Sequence, residues 1–182
     1  MAEDAAPTVT VAKARTSLAG VWNAELQYRD YQSGKWYGLP YVTSISMVAD
    51  NVTMIRTSAF DDGPKRGTVW ITTVDILAND GTTEHSASFR AGQPVEPTQY
   101  KLRLVPRKNG EPSDLTHWVL LSEANGQDDE RPARIRETHS REGDLIEAVK
   151  EVDFSDDSKE EWLVRNPTVL KWKAPIGVGA RP

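Results

Sequence analysis

The sequence predicts an all-β protein, an antiparallel up-and-down β-barrel of about 8–10 strands. Three observations predict it. Apolar and polar residues alternate with a period of two through most of the chain. Turn residues, chiefly Gly, Asn, Asp and Pro, separate these segments at intervals of roughly 10 to 15 residues. No segment of any length shows helical periodicity.

The first strand is predicted within residues 17–31, where the alternation is clearest. Trp22, Ala24, Leu26 and Tyr28 occupy every second position, and the residues between them are polar. One face of such a strand is apolar and the other is solvated, as in a half-buried antiparallel strand. The remaining strands should pair with it and repeat its pattern.

Nine further strands follow from the same pattern and from the turn residues between them. We expect them at residues 42–49, 52–60, 68–77, 82–90, 99–105, 115–123, 133–140, 145–154 and 162–172. The polar run 124–132 is predicted to be a loop. The whole forms one barrel domain over residues 17–173, between an irregular N-terminal arm, 1–16, and a flexible C-terminal tail, 174–182.

Composition excludes several classes of protein. The chain of 182 residues has 22 Lys and Arg against 27 Asp and Glu, a net charge of -5, and its basic residues are dispersed, which argues against a nucleic-acid partner. No apolar run is long enough to span a membrane. The chain has no cysteine, so disulfides and thiol chemistry are excluded. It is expected to be a monomer or a homodimer, and a periplasmic or secreted location is as compatible with the sequence as a cytoplasmic one.

The segment from Arg134 to His139 has too few apolar residues to give a wholly apolar inner face. If Ile135 faces the lumen, Glu137 and His139 face it too; if Ile135 faces outward, Arg134 and Arg136 face the lumen instead. Either orientation places ionisable groups inside the barrel, unless the strand lies at a solvated rim. Glu137 and His139 are the catalytic candidates if the protein is an enzyme, because a desolvated carboxylate and imidazole can exchange protons near neutral pH.

Further ligand-binding candidates come from other strands. Arg56 is in phase with apolar residues of its strand, so it is a second inward cation that could meet a polar or anionic group. Large aromatic rings directed into a lumen would bind an apolar molecule. The complete set of predicted ligand-binding residues is Trp22, Tyr28, Arg56, Trp70, Trp118 and Arg136. No metal site or cofactor is predicted, because the three histidines lack ligand spacing and no nucleotide-binding motif is present.

Two sets of residues resemble known families. Gly20-Val21-Trp22, at the start of the first long strand, resembles the opening of the calycins, which include the lipocalins. Residues 134–138, 143–144, 150–152 and 161–166 are similar to strands of bacterial lipocalin-like domains of the DUF1579 type. Nitrobindin-type haem barrels also begin with Gly-x-Trp, but Ala24 and Leu26 stand where their next glycines would be. The resemblance implies a calycin-like barrel with Trp22 at its floor and carries over no catalytic residue.

The sequence therefore favours a barrel that binds a small, largely apolar molecule with a polar or anionic head. A cofactor-free cyclase, isomerase or hydrolase that uses acid and base groups in the same pocket is the alternative. A barrel filled by its own side chains, with a structural role, is the third possibility. An inward Glu-His pair would favour the enzyme, and apolar walls around a lone arginine would favour the binder.

Overall fold

A computed structural model of the chain describes residues 9–29 and 33–176. Ten antiparallel strands form a closed barrel in the order of the sequence, and the last strand pairs with the first. The strands are β1 (Gly20–Arg29), β2 (Trp36–Met47), β3 (Thr53–Asp61), β4 (Thr68–Leu77), β5 (Thr83–Arg90), β6 (Thr98–Val105), β7 (His117–Asp128), β8 (Arg131–Glu142), β9 (Leu145–Phe154) and β10 (Leu163–Ala174). Two short helices, α1 (Val11–Thr16) and α2 (Gly63–Arg66), precede β1 and β4, and a 3-10 turn spans Lys108–Gly110. The predicted all-β antiparallel barrel is confirmed.

Two turns at one end of the barrel use the same side-chain hydrogen bonds. Asp50 accepts bonds from the backbone N–H groups of Val52 and Thr53 at 3.0 and 2.9 Å, between β2 and β3. Asp80 does the same for Thr82 and Thr83 at 2.9 and 2.7 Å, between β4 and β5. An aspartate that binds the backbone two and three residues ahead replaces the backbone bonds that a tight turn leaves open. These residues fix where β3 and β5 begin.

The polar run 124–132 is not a loop, which corrects the sequence-based expectation. It forms the ends of β7 and β8, which pair from His117 opposite Glu142 to Asp128 opposite Arg131. The turn itself consists of Asp129 and Glu130, both with positive φ. The extension is polar because these strand ends lie at the rim of the barrel, where both faces meet water.

The end that carries the Asp50 and Asp80 turns is closed by α1, so the N-terminal arm is not irregular throughout. Residues 11–16 are helical, and Thr10 caps the helix by accepting a bond from the N–H of Lys13 at 3.3 Å. Ala14 packs there in a buried cluster with Leu77, Leu102 and Trp118. We refer to this as the closed end of the barrel and to the opposite end as the open end. Residues 1–8 of the predicted arm and 177–182 of the predicted tail lie outside the described residues.

Gly20 allows the seam between β1 and β10 to close. Its φ is +154°, and a Cβ at this position would lie 2.0 Å from Cζ3 of Trp172. Trp172 in turn meets Trp22 edge to face, with ring centroids 5.0 Å apart. The Gly-x-Trp sequence is therefore a packing device, because the glycine leaves room for the ring that covers the tryptophan. Within the described residues, no helix is long and apolar enough to cross a membrane.

Candidate functional site

Strand β8 directs its odd-numbered residues into the barrel. Ala133 and Ile135 are buried, and Glu137 and His139 line the lumen. The first of the two orientations considered for this strand is therefore the one that the fold adopts. Arg136 lies on the outer face, where it donates two hydrogen bonds to Glu151 at 2.7 and 3.0 Å.

Two compartments of the lumen meet at shared residues. Compartment one has a volume of about 200 Å³ and lies against β2, β9 and β10. Compartment two has a volume of about 190 Å³ and lies against β4 to β7. Leu18, Arg56, Glu137 and His139 line both compartments. The three polar residues of this set therefore form a boundary across the lumen.

The boundary joins opposite walls of the barrel. Arg56 is on β3, and Glu137 and His139 are on β8, five strands away in either direction around the ring of ten. Side chains on opposite strands can meet only across the lumen itself. The lumen is thus spanned at mid-height by a cation from one wall and a carboxylate and imidazole from the other.

Arg56 forms an ion pair with Asp75, a residue of compartment two. Its Nη2 lies 3.7 Å from Oδ2 of Asp75, and the other oxygen of Asp75 accepts a bond from Ser86 Oγ at 2.6 Å. Burial opposes the charge of Arg56, but Asp75 and Glu137 outweigh it and raise the pKa of the guanidinium above its ordinary value. Its side chain is nevertheless 38% accessible. The barrel encloses Arg56, and the two compartments leave its guanidinium open to small molecules.

The side chains of Glu137 and His139 form no hydrogen bond with any residue that the structure describes. The polar side-chain atoms of both residues remain accessible, and they face the cavity. Burial lowers the pKa of His139, and Glu137 opposes that shift only in part. The imidazole is therefore neutral at neutral pH. An enclosed carboxylate and imidazole without protein partners need water or a ligand to satisfy them.

Compartment two is more polar than compartment one, and α1 contributes its most buried charge, Arg15. Arg15 is only 1% exposed and donates through Nε to Glu84 Oε2 at 2.5 Å. Its other two nitrogens donate to the carbonyls of Val52 and Asp75, each at 3.1 Å. Burial, followed by Asp75, raises the pKa of Glu84, and Arg15 lowers it by a smaller amount. Five hydroxyl side chains also line this compartment: Thr73, Ser86, Ser88, Tyr100 and Ser122.

Compartment one is mainly apolar and leads toward the open end. Its apolar lining comprises Leu18, Ile45, Ile146, Ala148, Val149 and Leu170. Lys150 also lines it and is bonded to Asp128 at 3.0 Å, and Arg165 lies 2.7 Å from the second oxygen of Asp128. These ion pairs lie between compartment one and a surface recess of about 260 Å³ that Asp128 and Arg165 also line.

Trp22 and Trp118, both predicted to contact a ligand, are fully buried in the wall and floor. Trp22 Nε1 donates to the carbonyl of Leu18 at 2.9 Å, and Trp118 Nε1 donates to Ser17 Oγ at 3.1 Å. Neither lines a compartment. Both rings pack against Leu18, and it is Leu18 that lines the two compartments.

The three other predicted ligand-binding residues apart from Arg56 also line neither compartment. Trp70 is 61% exposed and lies on the outer face of β4, because Thr73 and Asp75 place the odd-numbered residues inside. Arg136 is on the outer face of β8, paired with Glu151. Tyr28 lies at the open end, stacked on Tyr37 with ring centroids 5.8 Å apart, and it borders the surface recess there.

Sequence reasoning missed Arg15, Asp75, Glu84 and Tyr100 as lumen residues. Asp75 could have been found, because a lone acid within the apolar strand 68–77 is unusual. Arg15 could not, since α1 is too short to show helical periodicity. Among the described residues, no cluster of three or more His, Cys, Asp or Glu could hold a metal ion.

Similarity to known proteins is limited to the fold. No protein-family model and no curated protein matches the chain. Among solved structures, Rv2717c from M. tuberculosis is similar with a TM-score of 0.59 and 10% identity, over 91% of this chain and 99% of that one. A protein of unknown function from the DUF3598 family of Nostoc punctiforme covers 91% of this chain and 100% of its own at 10% identity, but its TM-score is only 0.25.

Together, the fold and the lumen define a closed ten-strand antiparallel barrel with an ionisable boundary in its cavity. This is an up-and-down barrel closed on itself, which leaves no free sheet edge. The particular resemblance to DUF1579-type domains stays a prediction.

Proposed function

We propose that the protein binds a small amphipathic molecule inside the barrel, with its apolar body in compartment one and its polar head at the boundary. The observation that carries this proposal is the position of Arg56, Glu137 and His139 where an apolar and a polar compartment meet. A ligand placed across the boundary buries apolar surface on one side. It also supplies the hydrogen bonds that Glu137 and His139 lack on the other.

The charges around the boundary favour an uncharged polar head over an anionic one. Arg56 is the cation that an anion would meet, but Asp75 is already 3.7 Å from it, and Glu137 also faces it. An anion would have to approach both carboxylates as well as the arginine. A hydroxyl or carbonyl group can accept a bond from Arg56 at a lower electrostatic cost, and a hydroxyl can also donate to Glu137.

Two probes with the same ring and different heads test this proposal. 2-Naphthol and 2-naphthoate are titrated into the protein, and their affinities are compared by calorimetry. We expect 2-naphthol to bind more tightly, by at least about tenfold, which corresponds to about 1.4 kcal/mol. Tighter binding of 2-naphthoate would overturn the preference for an uncharged head, and no saturable binding of either probe would contradict a binding function for this class of ligand.

A matched pair of variants places the binding inside the barrel. Ala148→Phe adds a ring to the wall of compartment one, whereas Ala87→Phe adds the same ring to the outer face of β5. Because the first ring takes up space in the cavity, Ala148→Phe should abolish probe binding, and Ala87→Phe should leave it unchanged. Equal binding by the two variants would place the probe outside the lumen.

A cofactor-free enzyme is the second candidate function. The specific observation in its favour is that Glu137 and His139 face the cavity from one strand with no protein partner. A group with a purely structural role would be expected to have its hydrogen bonds satisfied by the protein. A free carboxylate in a closed cavity is instead available to move a proton.

A further inference from the structure

We propose that the boundary catalyses proton transfer at a carbon atom next to a carbonyl group, with Glu137 as the base and Arg56 as the cation that stabilises the enolate oxygen. The inference rests on the proposed binding function, because the substrate must occupy the same boundary. The substrate class is a small amphipathic ketone. Its apolar body would occupy compartment one, and its carbonyl group would point toward Arg56.

The arrangement of charge across the lumen supports this type of reaction. A base that abstracts a proton from carbon is most effective when few donors solvate it, and Glu137 accepts no hydrogen bond from the described residues. The negative charge then develops on the carbonyl oxygen, which needs a fixed cation on the other side of the substrate. Arg56 reaches the boundary from the wall opposite Glu137, and its Nη2 forms an ion pair with Asp75 at 3.7 Å.

His139 leaves the carboxylate free to act. It lies two residues from Glu137 on the same face of β8, and the groups that face it are Glu137, Arg56 and Asp75. Because burial keeps the imidazole neutral, it forms no ion pair with Glu137 that would weaken the base. We therefore assign His139 as a positioning residue that keeps the surroundings of Glu137 polar and uncharged.

Nucleophilic catalysis is less well supported by the same site. No hydroxyl group of the described residues is hydrogen-bonded to Glu137 or His139. An activated serine or threonine requires such a bond to a base. Several hydroxyl groups of the lumen are bonded to other partners: Thr73 to Ser88 and Ser58 to Thr43, each at 2.9 Å, and Ser86 to Asp75 at 2.6 Å.

The proposed step balances without a co-reactant. Glu137 takes a proton from the carbon next to the carbonyl group, and the electron pair of that C–H bond forms a carbon–carbon double bond. The π electrons of the carbonyl group move to its oxygen, where the enolate is held by Arg56. The protonated Glu137 then donates a proton back to carbon. Donation to a conjugated position gives isomerisation, and donation to the same position, after the carboxyl group has exchanged its proton with solvent, gives hydrogen exchange.

Proton exchange of 2-tetralone in D₂O tests the inference. Its CH₂ group between the ring and the carbonyl is acidic, and its loss of proton signal is followed by NMR in the presence and absence of protein. We expect the protein to accelerate exchange well beyond an equal concentration of acetate and imidazole. Glu137→Gln should lower the rate at least about 100-fold, and Arg56→Met should lower it by a similar factor.

Controls separate catalysis from binding and from folding. Glu147→Gln makes the same change on an exposed residue of β9, and it should exchange 2-tetralone like the unmodified protein. Circular dichroism and calorimetric binding of 2-tetralone are measured for every variant. Binding without accelerated exchange, or exchange that survives Glu137→Gln, would overturn the catalytic inference alone. Absence of 2-tetralone binding would contradict the proposed binding function as well.

Discussion

Replacement of Arg15 by Met should destabilise the protein strongly, because this side chain connects α1 to Glu84 and to the carbonyl groups of Val52 and Asp75. Arg15 is 1% exposed and forms an ion pair with Glu84, which is 13% exposed. Removal of one member of such a buried pair costs about 3–5 kcal/mol, since the other charge stays buried. The carbonyls of Val52 and Asp75 also lose donors. Water that enters compartment two will offset part of this loss, so we expect about 4 kcal/mol.

Urea unfolding, followed by tryptophan fluorescence, measures this loss as a change in the free energy of unfolding. Arg131→Met is the matched control, because Arg131 pairs with Asp156 at the surface, where both side chains are more than one third exposed. An exposed pair of this kind contributes little to stability, so Arg131→Met should lose far less than Arg15→Met. The double variant Arg15→Met with Glu84→Gln should recover part of the loss, because it removes the unpaired buried carboxylate.

The loss should also depend on pH in a defined direction. The pKa of Glu84 is already raised above 4.5 by burial, and loss of Arg15 would raise it further. A carboxyl group whose pKa is raised in the folded state is best tolerated when protonated, so its destabilising effect grows as the pH rises through that pKa. The deficit of Arg15→Met should therefore shrink at pH 4. A deficit below about 1 kcal/mol at pH 7, equal to that of Arg131→Met, would refute the assigned role of Arg15.

Three further predictions concern the seam, the lumen and one turn. Gly20→Ala should cost about 3 kcal/mol in urea unfolding, because its Cβ would collide with the Trp172 ring at a positive φ; an unchanged midpoint would contradict the packing explanation. Burial lowers the pKa of His139, so just below pH 6.5 only the unfolded chain gains this proton, and the unmodified protein loses stability. His139→Gln should remove this loss. The difference in unfolding free energy between the two proteins should therefore change between pH 6.5 and 5 and stay constant above pH 7. Hydrogen bonds from the backbone of Thr116 help to lower the pKa of Asp114 to about 2, so its contribution is present above about pH 4 and lost toward pH 2; thermal unfolding of Asp114→Asn should differ from that of the unmodified protein at pH 5 and converge with it at pH 2.

The strands could be predicted because their turns are encoded locally. Segment 68–77 was predicted with the bounds that β4 has in the structure, since Gly67 precedes it and the Asp80 turn follows it. The run 124–132 was not recognised as strand, because period two requires one dry face and the rim has none. A rule based on hydrophobic alternation cannot detect strands that extend beyond the core.

The lumen could be predicted only in part, because its residues do not follow the rule that apolar side chains point inward. On β4 the inner face carries Thr73 and Asp75, whereas Trp70 and Ile76 are exposed. Hydrophobicity therefore suggested the wrong orientation for Trp70. On β8 both orientations placed charges inside, so the sequence left the choice between Arg136 and Glu137 open, and only the pairing of all ten strands decides it.

At the seam between β1 and β10, the start of the first strand lies beside the end of the last strand, with Val21 opposite Ala174. Every other strand pair joins strands that are neighbours in the sequence. Among the described residues, only the pairing of β1 with β10 brings together segments that the whole length of the barrel separates in the chain. The seam should accordingly limit the rate of folding. A circular permutant that begins after Gly143, in the turn between β8 and β9, and joins β10 to α1 by a linker would keep the pairing of β1 with β10. It would make β10 and β1 successive strands in the sequence.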